Sequence, residues 1–280
     1  MKKVKICCDS TCDLSPELIE RYDIGIIPLY VNFPSKSYKD GVDINVDKMF
    51  DIVKSTKTTP KTSAPPPEDY KKFYKQFIDE GYEIVHLCIG QSLSCSYQNA
   101  CIAAKKLEGV YPIDSLSLST AMGLLAIKAR ELADEGKSAK EIFDYIESVK
   151  AEQSVLFIID TLDFAVKGGR CNMLTAWGAN FLRLKPCFMM KNGVLSVTKK
   201  FRGSFNHVAL EYAKFVLAIK NIDYSKVFIS YTQMSKDLLD KVVATIKSLA
   251  DFKEIFVTQT GCTIATHGGP NTLAIFYMVK

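Results

Sequence analysis

The chain has no G-x-x-x-x-G-K-[ST] and no G-x-G-x-x-G after a strand, so the usual phosphate cradles of nucleotide-binding proteins are missing. It has no H-E-x-x-H and no C-x-x-C, and its three histidines lie away from the one tight cysteine cluster, Cys7-Cys8 with Cys12. Those absences argue against zinc and any other metal. The nine cysteines are odd in number, and Cys7 and Cys88 fall in apolar strand patterns, which reads as reduced, buried thiols. No apolar run approaches the roughly 20 residues that span a bilayer. The first residues, Met1 to Ile6, carry lysines but neither an apolar h-region nor a small-residue cleavage site, so a cytoplasmic location is expected. Lysines are scattered, with no basic helix or interleaved aromatic stripe, and a net charge of +5 is mild. Nucleic-acid binding is therefore not expected.

What is present is ordinary globular composition, with 48% hydrophobic and 24% charged residues in 280, enough for one large or two modest domains. The first half alternates strand and helix patterns. Val4–Cys8, Ile24–Val31, Ile84–Ile89 and Val110–Ile113 read as strands. Glu17–Tyr22, Val46–Val53, Glu68–Glu80, Leu93–Leu107 and Ala121–Asp134 read as helices, and Ser138-Ala139-Lys140-Glu141 is a capping box opening a helix over Ile142–Lys150. This pattern predicts an α/β layer with a mainly parallel sheet. The second half begins at Val155–Ile159 and contains a hairpin signal, Asn192-Gly193 between Pro186–Lys191 and Val194–Thr198. Helices over Asn206–Ala218 and Lys236–Leu249 alternate with strands over Val227–Tyr231, Ile255–Thr258 and Leu273–Met278, an α+β reading. The expected domains are 1–155 and 156–280.

Thr58 to Pro67, between two helical patterns, is too rich in proline to be helical. Proline fixes φ and biases the preceding residue toward extended geometry, so Thr62 and Ser63 sit on a stiff, extended backbone. Held hydroxyls suit hydrogen bonding to a small polar head group. The competing reading is a helix N-cap, which accounts for Pro67 and Glu68 but leaves Thr62 and Ser63 too far upstream.

Four more polar clusters interrupt apolar sequence. Asp9-Ser10-Thr11 with Asp13 ends the first strand, either a ligand-facing strand end or a solvated turn. Gly90-Gln91-Ser92-Leu93-Ser94-Cys95-Ser96 gathers three serines where a strand turns into a helix, a place that favours an anion. It is also one residue short of the nucleophile elbow G-x-S-x-G, which raises a serine hydrolase or acyltransferase with Ser92 as nucleophile, His267 as base, and Asp114 or Asp160 as orienter. Lys167-Gly168-Gly169-Arg170 combines close backbone approach with an exposed guanidinium, or is a glycine helix cap with a surface arginine. Thr266-His267-Gly268-Gly269-Pro270 reads as a polar turn that exposes His267 into a cleft. A histidine beside a bound carboxylate would have its pKa raised and could donate as a cation.

Taken in order, seven landmarks resemble the DegV family over essentially the whole chain. They are Asp9-Ser10-Thr11-Cys12-Asp13-Leu14, Asp40-Gly41-Val42-Asp43, Thr62-Ser63-Ala64-Pro65, Leu93-Ser94-Cys95-Ser96-Tyr97, Asp114-Ser115, Lys167-Gly168-Gly169-Arg170 and His267-Gly268-Gly269-Pro270. The resemblance implies a two-domain α/β protein of bacteria that binds a fatty acid such as palmitate, stearate or oleate, with no cofactor and no catalytic nucleophile. Its acyl chain would lie in a tunnel and its carboxylate near the domain interface. By position, Thr62, Ser63 and Ser94 would bind the carboxylate with Thr266 and His267 beside it, and Arg170 with Ser92 would complete the polar mouth. Some members present the acid to a fatty acid kinase for acyl phosphate formation, and Arg202 sits where those carry a basic residue near the docking surface. The chain departs from the family pattern at Gly90-Gln91, Cys95-Ser96, Gly268 and Asn271. The physics suits such a ligand: a sixteen-carbon tail at ~0.8 kcal/mol per methylene supplies about 12 kcal/mol before ordering costs. Its carboxylate is severely penalised unless hydrogen-bonded.

Overall fold

Two hydrophobic periodicities, strand-like runs and amphipathic helices, build the first part of the chain in sequence order. These elements are β1 (Lys3–Asp9), α1 (Pro16–Arg21), β2 (Gly25–Ile27), β3 (Tyr30–Phe33), β4 (Lys36–Lys39), α2 (Val46–Thr56), β5 (Lys61–Ser63), α3 (Pro67–Ile78), β6 (Tyr82–Cys88), α4 (Ser96–Ala104), β7 (Val110–Asp114), α5 (Ser119–Asp134) and α6 (Ala139–Val149). The second part adds β8 (Gln153–Ile158), α7 (Asp163–Gly168), β9 (Leu184–Lys191), β10 (Val194–Arg202), α8 (Phe205–Leu217), β11 (Ile222–Tyr231), α9 (Lys236–Leu249), β12 (Glu254–Gln259), α10 (Cys262–Gly268) and β13 (Leu273–Val279). This computed structural model describes residues 3–170 and 184–280.

The strands form a parallel sheet in the order β2-β1-β6-β7, a six-stranded sheet in the order β10-β9-β8-β13-β11-β12, and a small sheet in the order β4-β3-β5. The six-stranded sheet is antiparallel except where β11 pairs with β12. The architecture is therefore the expected α/β with a parallel first sheet and an α+β second part. The expected boundary at residue 155 falls inside β8.

Helix α5 shows why the two sheets form one body. It is buried along most of its length, from Ser119 to Leu132, because it packs on β1 and β6 on one side and on β8, β11 and β13 on the other. A helix buried all round needs no polar stripe, and α5 has little of one. The cluster centred on it runs from Ile6 and Leu87 through Leu125 to Phe228 and Phe276. Outside this layer, α3 and α4 cover the far face of the parallel sheet, and α8 and α9 cover the far face of the larger sheet.

Local signals hold where they rest on turn and cap chemistry. The hairpin of β9 and β10 turns at Asn192 and Gly193, with φ of 51° and 76°, the left-handed pair that a type I′ turn needs. Ser138 and Glu141 make both bonds of the capping box. Two expectations are corrected. Ile24–Val31 is two strands in two sheets, β2 and β3, because Pro28 and Leu29 intervene. Helix α4 starts only at Ser96, since Gly90 to Cys95 forms a turn. Lys61–Ser63 is extended as expected, in a strand antiparallel to β3. In α3 Tyr70 and Tyr74 are fully buried, while Phe73 and Phe77 are partly buried.

Candidate functional site

A cavity of about 910 Å³ of atom-free space, part of it open to solvent, lies between the two large sheets. Phe157 of β8 and Phe188 of β9 stack at 5.1 Å on one wall, and Leu118, Ile89, Ala274 and Phe276 line others. Ile89 and Leu118 follow the carboxyl ends of β6 and β7, where ligands of open α/β sheets bind.

At one end the wall becomes polar, through Thr62, Ser63, Ser94, Arg170 and His267. These side chains come from β5, the turn before α4, the segment after α7, and the last turn of α10. Thr62 Oγ1 lies 2.9 Å from Nε2 of His267. Ser63 Oγ accepts from Nδ2 of Asn32 at 3.0 Å, across the β3–β5 pairing. The N-cap of α3 is Pro66, with no side-chain capping bond, so neither Thr62 nor Ser63 is a helix cap. Ser94 Oγ accepts from the Ser96 amide at 3.2 Å and shares a hydrogen bond with Ser96 Oγ at 2.9 Å. Arg170 is exposed, its Nη1 donating to the Gly168 carbonyl at 3.0 Å and its Nε to that of Leu93 at 3.3 Å.

His267 is not in a turn, as the glycines and proline around it suggested, but in α10. Among the described residues its buried Nδ1 has no hydrogen-bond partner, and it faces the backbone of Gly168. Burial pushes its pKa down to about 4, and the Arg170 charge acts in the same direction. It is therefore a neutral imidazole at pH 7, and an anion arriving between it and Arg170 would oppose both causes.

Two of the head-group residues singled out from sequence, Thr266 and Ser92, are turned elsewhere. Thr266 is fully buried with its hydroxyl on the sulfur of Met49 in α2, at 3.2 Å, away from the cavity. Ser92 donates to the Gly193 carbonyl at 2.5 Å and so ties the turn before α4 to the β9–β10 hairpin. Arg202 is exposed at the end of β10. The hydrolase alternative needs Ser92 against His267, and each has another partner. Asp114 accepts from the amides of Gln91 and Leu116, and Asp160 pairs with Lys185.

The Asp9 cluster is buried and not a solvated turn. Asp9 accepts from the amides of Thr11 and Ile89, Asp13 from that of Gly261 and from Ser119 Oγ, and Asp40 from those of Cys262 and Thr263. Burial raises Asp9 to about 6 and Asp13 well above the usual carboxylate range. The three aspartates thus tie Ile89, Ser119 and the start of α10 into the cavity wall. Among the described residues, no group of three or more His, Cys, Asp or Glu could hold a metal ion. No described helix is long and apolar enough to cross a membrane.

The departures from the family pattern have local causes. A β-carbon on Gly90 would lie 2.7 Å from Met190 Cε, and one on Gly268 would lie 2.7 Å from Thr272 Oγ1. Asn271 sits at φ 54°, a left-handed position that asparagine tolerates in glycine's stead, with Nδ2 on Asp160 at 3.0 Å.

The sequence profile of the DegV family, described as uncharacterised proteins, matches residues 3–280. The chain belongs to the DegV family. A DegV domain-containing protein of Clostridium perfringens is 32% identical, over 99% of both chains. A DegV protein from Thermus thermophilus, solved as a fatty-acid-binding protein, superposes with a TM-score of 0.89 at 27% identity over the whole of both chains. The fatty acid kinase (Fak) B3 protein of Streptococcus pneumoniae, loaded with linoleic acid, shares the fold with a TM-score of 0.85 at 20% identity over 99% of this chain and 100% of that one. A protein of Thermotoga maritima, 29% identical over 97% of this chain and 96% of its own, is likewise named a fatty acid-binding protein.

Cavity residues beyond the motifs escaped the sequence reading. Phe157, Phe188 and Leu195 look like any sheet core, and nothing in a single sequence distinguishes a cavity wall from a packed interior. Thr263 carried a usable signal, four residues before His267, which only a helical reading of residues 262–268 would have exposed.

Proposed function

We propose that this DegV protein binds one long-chain fatty acid in the cytoplasm, its acyl chain in the cavity as in a tunnel and its carboxylate among Thr62, Ser63, Ser94 and His267. The observation that carries the reading is the Thr62–His267 pair, 2.9 Å apart, at the polar end of a cavity walled mainly by apolar side chains. An alkyl chain gains from leaving water, and the head group finds hydroxyl donors and an imidazole instead of an apolar wall. Arg170 supplies positive charge at the mouth. Thr266 and Ser92 support the site from behind: Thr266 fastens α10 to α2, and Ser92 fastens the Ser94 turn to the hairpin.

The bound acid would then be offered to a fatty acid kinase, with the exposed Arg202 on the docking side. Support for that step is the shared fold with the Fak B3 protein and the exposure of Ser63 and Arg170 at the head-group end.

Native mass spectrometry of the purified protein, followed by lipid extraction, tests the binding reading. A stoichiometric fatty acid supports it, and an empty protein that cleaves p-nitrophenyl esters overturns it. Ser63→Ala with His267→Ala should lose the lipid while the far-UV spectrum is unchanged. Full retention in that variant means the carboxylate lies elsewhere.

A further inference from the structure

Several hydroxyl side chains line the cavity away from its polar end, and they differ in whether folding already uses them. Ser230 Oγ is engaged with Thr120 Oγ1 at 2.5 Å and Thr258 Oγ1 at 3.3 Å, and Thr272 Oγ1 donates to the Gly269 carbonyl at 3.1 Å. Thr260 and Thr263 are different. They are 5% and 4% exposed, both line the cavity, and neither hydroxyl has a hydrogen-bond partner among the described residues. Their backbones are satisfied separately, since the Thr260 amide donates to the Tyr231 carbonyl at 2.8 Å and the Thr263 amide to Asp40 at 3.0 Å. A valine of the same shape would fill either place without an orphaned polar atom.

Ser119 completes the set. It lines the same cavity, and its Oγ donates its one proton to Asp13 Oδ2 at 2.5 Å. A hydroxyl has one donor and two acceptor sites, so the capacity left to Ser119 is as an acceptor. Thr260 and Thr263 still have a proton to give. A plain alkyl chain answers none of these groups. A hydroxyl on the chain, donor and acceptor at once, can answer both kinds, whereas a keto or ether oxygen can only accept.

We propose that Thr260, Thr263 and Ser119 form a second polar recognition point, which selects fatty acids carrying a hydroxyl group on the acyl chain. This rests on the fatty-acid reading of the cavity and specifies which fatty acids it favours. The place along the chain follows from α10. Thr263 precedes His267 by four residues, so the two lie on one helix face about 6 Å apart along the axis. The favoured hydroxyl therefore lies in the part of the chain next to the carboxylate and not near the methyl end.

The test uses the full chain stripped of lipid and compares dissociation constants by competition. The ligands are stearate, hydroxystearates substituted near the carboxylate, the matching keto acid, and a hydroxystearate substituted near the methyl end. The expected result is that one or more of the proximal hydroxystearates binds about tenfold tighter than stearate, with a smaller gain for the keto acid, which can only accept, and none for the distal isomer. Thr260→Val with Thr263→Val should collapse that ratio, and Thr263→Ser, which keeps the hydroxyl, should preserve it. Stearate binding as tightly as every proximal hydroxystearate overturns the inference and leaves the fatty-acid reading standing. So does a ratio unchanged in the double variant. If neither stearate nor any hydroxystearate binds, both readings fall together.

Discussion

Gly168 lies directly against the imidazole of His267: a β-carbon built on the glycine would overlap Nδ1 and come within 3.0 Å of Cε1. The two residues are 99 positions apart in the chain, yet the glycine that ends α7 sets where the histidine of α10 can stand. Its neighbour Gly169 has a different reason to be glycine, the left-handed φ of 69° that ends α7.

The contact predicts that Gly168→Ala displaces His267 from Thr62 and weakens fatty-acid binding by about tenfold, the worth of one good hydrogen bond, while alanine's helix propensity limits any loss of stability. Titration calorimetry beside thermal denaturation checks it. Unchanged affinity would show that the position of His267 is immaterial to binding.

Asp40 accepts from the amides of both Cys262 and Thr263, at 2.7 and 3.0 Å. Asp40→Ala leaves two buried donors unpaired and should cost about 3 kcal/mol of unfolding free energy. Asp40→Asn, which keeps one acceptor, should cost less. Urea unfolding of both variants measures the difference, and equal, negligible losses would contradict the pinning of α10.

His86 stands at the centre of an aromatic cage, with ring centroids of Tyr74, Tyr70 and Phe73 at 5.4, 5.5 and 6.1 Å and neither ring nitrogen hydrogen-bonded to any described residue. Burial alone lowers its pKa from 6.5 to about 3. Between those values the unfolded chain holds a proton that the folded one refuses, so stability falls as pH drops from 6.5 toward 3, by up to about 1.4 kcal/mol per pH unit. His267, lowered to about 4, acts with the same sign, and Asp9, raised to about 6, acts against it. His86→Leu should flatten the slope and be at least as stable as the parent at pH 5. A steeper slope would refute the burial argument.

Ser92→Ala removes only the hydrogen bond to the Gly193 carbonyl. It should cost about 1 kcal/mol of stability and leave fatty-acid retention at the parent level. Loss of retention with stability intact would return Ser92 to the head-group site.

The parts of the fold that could be read from sequence were those whose cause is local. The capping box at Ser138, the Asn192-Gly193 turn and the strand–helix alternation of the first half are all in place. The small β4-β3-β5 sheet was missed because its strands are three or four residues long and its pairings are non-local. At the site, Thr62 and Ser63 could be picked out because proline fixes their backbone. The partnership of Thr62 with His267, 205 residues away, could not. His267 was assigned to a turn because glycines at 268 and 269 outweighed a helix only seven residues long, held at its start by aspartates from the other end of the chain.

The cavity also parts the hydrophobic interior, with Ile89, Leu118, Ala274 and Phe276 in the main cluster on one side and Ile159, Ala165 and Phe188 in a small separate cluster on the other. Whatever fills it acts as mortar between two pieces of core. Free ligand at a hundred times the dissociation constant would add about 2.7 kcal/mol of folding stability, a quantity that rises and falls with the free ligand. The melting temperature, and with it the protein's survival in a cell, then becomes a gauge of how much lipid is at hand.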